Sequence, residues 1–189
     1  MEEALLKKID EISDEMISGI KRVVQIDSVQ SEAKPGMPFG EGVNKALEEA
    51  LKLARELGFE TENVDHMVGI AKYGQGEDYI GIMGHLDVVP VGEGWNHPPF
   101  SAYEDENGRI FARGILDNKG PTLSCLYALY AIKELKIQLK CPVYILFGTN
   151  EETGFEDLTH FLKVRIPSIM GWTPDCKDLV VYAERGRST

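Results

Sequence analysis

With 189 residues, 43% of them hydrophobic, the chain can bury the core of one domain or slightly more. Its 31 acidic against 20 basic side chains leave a formal charge of −11, and the Arg and Lys residues are scattered, which argues against nucleic acid and anionic membrane surfaces as partners. No apolar run approaches the ~18 residues of a membrane helix. The opening MEEALLKKID reads as neither a secretory signal nor a transit peptide, and three widely spaced cysteines without a C-x-x-C pair fit a reducing cytoplasm.

In chain order, Leu5, Ile9, Ile12, Met16, Ile20 and Val23 recur at three- and four-residue steps and predict one amphipathic helix over residues 3–24. A Pro- and Gly-containing loop over 31–40 leads to a second helical pattern (Val43, Leu47, Ala50, Leu51, Ala54, Leu57) that stops at Gly58. Strands are expected over 60–64, 67–73 and 79–83, the last two joined as a hairpin through Gly74-Gln75-Gly76. Residues 100–114 read as another hairpin, turning at Asn107-Gly108. A helix over 121–135 then feeds a strand over 143–147. The order Thr153-Gly154-Phe155-Glu156 predicts a capping box opening a helix that runs to about Lys163. Further strands are expected over 166–170 and 179–182. Strands alternating with helices predict an α/β sheet covered on both faces, with no internal repeat or linker.

In such sheets chemistry gathers beyond the carboxyl ends of the strands. Four polar clusters stand at such exits. In GHLDVVP, His85 and Asp87 are two apart in an extended segment and so share one side, as suits an imidazole on a metal with a carboxylate holding its tautomer. Asp117 in ARGILDNKGP precedes a helix, where it either caps or binds a metal. Glu151 and Glu152 follow the apolar strand, and Asp175 follows Pro174 in GWTPD. Each taken singly has a structural use, as tautomer partner, cap or turn residue. Together, one His and several carboxylates without a nucleophile elbow or P-loop suit zinc, cobalt or manganese, and a bridging carboxylate lets such a set hold two ions ~3.5 to 4 Å apart.

GHLDVVP, ARGILDNKGP, TNEETG and GWTPD, in this order, resemble the M20 metallopeptidases, and HLDVVPVGEGW and WTPD are most similar to the PepV-type dipeptidases. The resemblance implies a zinc-exopeptidase-like fold, a mixed and mainly parallel sheet with helices on both faces. Residues 1–189 would be the N-terminal portion of the catalytic domain, without the family's lid domain. It implies His85 and Asp175 on one metal, Asp117 bridging both, Glu152 on the other, Asp87 as the partner of His85, and Glu151 as the general base. The reaction implied is hydrolysis of a dipeptide by a water between two divalent ions, zinc first and cobalt or manganese as alternatives. Deacylation or desuccinylation of N-acyl amino acids would use the same residues, and a non-catalytic metal-binding fragment is the third reading. One departure is Asn118, where many relatives carry a second Asp. The family's remaining His ligand would come from a part not found here. His66, His97 and His160 are not natural substitutes, so the chain alone is expected to be inactive, to need a C-terminal half, or to self-associate.

Overall fold

The structure, a computed structural model, describes residues 1–175; Cys176 and the strand expected over 179–182 lie outside the described residues. Three helices come first: α1 (Glu2–Glu11), α2 (Ser13–Val24) and α3 (Glu41–Glu56). The single helix expected over 3–24 is thus two. Ile12 leaves helical geometry at φ −101° and ψ 7°, and the Ser13 hydroxyl bonds the Asp10 carbonyl at 2.9 Å, a local alternative to the helical ladder. On α3 the periodic residues Val43, Leu47, Ala50, Leu51 and Ala54 are all buried, so the 3.6-residue stripe is the core-facing one.

The strands are β1 (Glu60–Val64), β2 (Val68–Tyr73), β3 (Ile80–His85), β4 (Tyr103–Glu104), β5 (Ile110–Phe111), β6 (Val143–Gly148) and β7 (Met170–Trp172); α4 (Lys119–Glu134) precedes β6 and α5 (Glu156–Val164) follows it. Among the described residues, five strands form one sheet in the order β1-β2-β6-β3-β7, and β4 pairs with β5 in a separate ribbon. The β1/β2 and β2/β6 pairings are antiparallel, whereas β3/β6 and β3/β7 are parallel. This overturns the hairpin expected between β2 and β3, because β6 lies between them. Gly74 and Gly76, at φ 100° and 139°, turn the chain away from that pairing. A Cβ on Gly74 would meet Pro142 at 2.9 Å, at the point where β6 enters. The strand expected over 166–170 is also displaced: residues 170–172 pair with β3, and 166–169 lie outside that ladder.

Helices α1 to α4 and one sheet face share a core that includes Val23, Leu47, Ile82, Leu123, Tyr127 and Ile145. On the other face Phe161 of α5 packs against Val64, Val68, Ile70 and Leu146. The three strands β6, β3 and β7 are adjacent and parallel, so their carboxyl ends leave the sheet side by side.

Candidate metal centre

His85 is the last residue of β3, in register with Gly148 at the end of β6. Glu151 and Glu152 follow three and four residues after Gly148, and Asp175 follows three after Trp172 of β7. Asp117 arrives from the loop before α4. That close approach depends on Gly84: a Cβ there would overlap the Thr122 hydroxyl and the Asn118 amide oxygen.

The structure brings the predicted residues together around a His85 ring that is 2% exposed. Its Nε2 lies 3.1 Å from Asp117 Oδ1 and 3.8 Å from both Glu151 Oε2 and Asp175 Oδ2. Its Nδ1 faces Asp87, 3.4 Å from Oδ1 and 3.1 Å from the backbone oxygen. Among the described residues, two sets of donor atoms lie mutually within 4.8 Å, namely His85 with Asp117 and Asp175, and His85 with Glu151 and Glu152. Both glutamates, not Glu152 alone, are therefore within reach of the ring.

Burial would push the His85 imidazole down, but Asp87 beside it and Glu151 nearby hold it up at about 9. Burial raises the carboxyls of Glu151, Glu152 and Asp175; neighbouring carboxylates push the same way, and His85 opposes them. Among the described residues, no Lys or Arg forms an ion pair with these three or with Asp117. A half-buried set of mutually repelling oxygens around one imidazole is a fitting donor set for divalent cations, which would supply the missing positive charge.

Sequence spacing pairs Asp87 with His85 and marks Asn118 as a departure, but it does not reveal the backbone contacts these two make, nor the part played by Asp157. Asp87, 1% exposed, accepts the backbone N–H of Glu151 at 3.2 Å and of Glu152 at 3.0 Å. Asn118 Oδ1 accepts from the His85 N–H at 3.3 Å and the Thr122 hydroxyl at 2.6 Å, while its Nδ2 donates to the Pro174 carbonyl and to Asp175 Oδ1 at 2.9 and 3.1 Å. An Asp at this position would set a second carboxylate against Asp175, so the departure at 118 supplies a neutral donor. Asp157, buried, accepts from the N–H groups of Thr149 and Asn150 at 2.7 and 3.1 Å.

The capping box expected at Thr153 does not form. Phe155 occupies the N-cap position in left-handed geometry, and Asn150 Oδ1 accepts the Glu156 N–H at 2.9 Å instead. Among the other histidines, His97 stacks on Tyr103 with ring centroids 3.6 Å apart, His66 faces Asn44, and His160 pairs with Asp65 at 2.8 Å. The last pair is an acidic contact that sequence spacing did not reveal.

A family profile described as peptidase family M20/M25/M40 matches residues 81–181. A Bacillus subtilis protein provisionally named a dipeptidase, YtjP, is 42% identical over 175 residues, covering 92% of this chain and 38% of its own. Human carnosine dipeptidase 1 superposes with a TM-score of 0.72 at 25% identity, over 86% of this chain and 37% of that one. An M20 family metallo-carboxypeptidase from Sulfolobus solfataricus does so with a TM-score of 0.68 at 25% identity, over 79% and 34% of the respective chains. The chain spans less than two fifths of the length of the curated relatives it matches.

Proposed function

This chain belongs to peptidase family M20/M25/M40, and from that premise we propose that it carries most of the metal centre of a dipeptidase. The observation that carries the reading is a single buried imidazole with carboxylates from three separate strand and helix ends within 3.8 Å of its Nε2. His85, Asp175, Asp117 and Glu152 are the residues that would hold two divalent ions. When bound, the two ions, zinc in our reading, supply Lewis acidity toward the scissile carbonyl and lower the pKa of the attacking water.

The protein's own groups do the rest. Asp87 fixes the His85 tautomer from the Nδ1 side, which leaves Nε2 as the donor. Glu151, whose carboxyl is raised by burial, accepts the proton of the attacking water and passes it to the leaving amine. The acidic rim favours a substrate with a free amino group, which is why we favour unblocked dipeptides over N-acyl amino acids. Half-buried free thiols at Cys125 and Cys141 are consistent with a reducing, cytoplasmic setting.

His85 is shared by both ligand sets and the other histidines are engaged elsewhere, so the second ion has no imidazole of its own among the described residues. We therefore expect the 189-residue chain to bind a divalent ion and to hydrolyse dipeptides poorly or not at all. Robust hydrolysis by the purified chain, abolished by a chelator, would refute that. In the whole protein, Glu151→Ala is expected to lower kcat by at least ~10²-fold with both ions retained, and Glu152→Ala to weaken one of them. Equal metal loss in the two variants, read by metal analysis after dialysis, reverses these roles. Faster turnover of N-acyl amino acids than of dipeptides refutes the substrate assignment.

A further inference from the structure

The short connection after α2 touches three of the four ligand-bearing segments within five residues, those of His85, Asp117 and the Glu151–Glu152 pair. The Ile26 carbonyl accepts the ammonium of Lys119, a fully buried side chain two residues beyond Asp117, at 2.7 Å. Ser28, also fully buried, donates its hydroxyl to the Leu86 carbonyl at 2.6 Å, and its own carbonyl accepts the Val88 N–H at 3.2 Å. Asp87 is therefore bracketed on both sides, and Val29 bridges Val88 in parallel fashion. Gln30 Oε1 accepts from Asn150 Nδ2 at 3.4 Å and from the Thr153 hydroxyl, one residue before and one after the Glu151–Glu152 pair. The connection is seated from behind. A Cβ on Gly42 of α3 would overlap the Asp27 carbonyl, and the Ser31 N–H bonds the Phe39 carbonyl at 3.2 Å.

We propose that residues 26–30 are a positioning strap for the metal centre, an inference that rests on the metal-centre reading above. Ser28 and Gln30 touch neither ion nor substrate; they set how far apart the ligand loops stand. The physical need is plain from the site. Its carboxylates repel one another before a cation arrives, and loops leaving different elements would relax outward unless tied. A strap that holds these three loops next to their ligands keeps those donors at binding distance and reduces the ordering cost when the ion enters. A merely structural tether would instead contribute to fold stability and leave metal affinity unchanged.

The two roles separate in a cobalt titration of the 189-residue chain followed by visible absorption, alongside urea unfolding of the metal-free protein. Gln30 is exposed, so Gln30→Leu is expected to keep the metal-free unfolding midpoint while weakening cobalt binding about tenfold, the scale typical for partners of metal ligands. Gln30→Glu keeps an acceptor for Asn150 and Thr153 and should bind cobalt within about threefold of the parent. Ser28→Ala is expected to weaken cobalt binding by a similar factor and to lower stability as well; if it fails to fold, the Gln30 pair decides. Parent-like cobalt binding by Gln30→Leu and by any folded Ser28→Ala, while His85→Ala loses it, overturns the strap and leaves the metal centre standing. A parent that does not bind cobalt, or a His85→Ala variant that binds it equally well, overturns the metal-centre reading and the strap with it.

Discussion

Asp87 illustrates what a residue-scale reading reaches and where it stops. The His-x-Asp spacing predicts that the carboxylate lies on the same side as the imidazole, and Oδ1 is 3.4 Å from Nδ1. The spacing says nothing of the two N–H groups from Glu151 and Glu152, because that contact follows from the parallel register that sets His85 beside Gly148. One carboxylate thus orients the imidazole and anchors the turn that carries the glutamates. Asp87→Asn replaces one acceptor oxygen by an NH₂ group and leaves a buried donor facing a donor. We expect a loss of about 1 to 3 kcal/mol in urea unfolding of the metal-free chain, together with weaker metal binding. An unchanged midpoint would mean that the turn is held by other groups, such as Asp157 under Thr149 and Asn150.

At the scale of elements, the helices and most strands were legible because their periodicities are long and clean, as along α3 and β6. The errors have local physical causes. Ile12 fits the helical stripe but stands where Ser13 bonds back to Asp10, and Thr153 fits a capping box while its hydroxyl is spent on Gln30, far away in sequence. The α2–α4 crossing has similar specificity. Tyr127 of α4 donates its hydroxyl to the Glu15 carbonyl at 3.1 Å, directly over Gly19 of α2, where a Cβ would overlap it. Gly19→Ala is accordingly expected to destabilise by about 1 to 3 kcal/mol through overpacking. Burial, and then the charge of Glu15, raise the Tyr127 phenol from 10.0 to about 12. The sign follows from proton uptake: between these values the unfolded phenol loses its proton while the folded one keeps it, so stability present below pH 10 declines as pH rises through about 12. Unfolding midpoints measured from pH 9 upward should fall less steeply for Tyr127→Phe than for the parent.

Among the described residues, α3 and α4 lie on one sheet face with α1 and α2 packed against them, while α5 packs against part of the other. Beside α5 lies a cavity of about 600 Å³, lined by Met83, Leu146, Phe161 and Trp172 and open toward His85 and Glu151. In and just before β7, Ile166 is 70% exposed, Ile169 60% and Met170 63%. Such an apolar strip beside a strand without an outer partner among the described residues favours association. We expect the chain to sediment as dimers or larger species at high micromolar concentration, and Ile169→Lys to shift it toward monomer; a monomeric parent in velocity sedimentation would exclude this. The sequence reading expects self-association but not its place, since residues 166–170 read as an ordinary strand until Ile166, Ile169 and Met170 are seen at the surface.

The strand order also dictates a sequence of events during synthesis. The β1-β2 ribbon and β3 leave the ribosome early, but they cannot join, because the slot between them belongs to β6, whose first residue is Val143. His85 and Asp117 must wait, with the strap and α4 already made, for a late strand to enter and pair on both edges at once. Closing the sheet and bringing the glutamates to His85 are then one event, and pairings so distant along the chain make that insertion the natural slow step of folding.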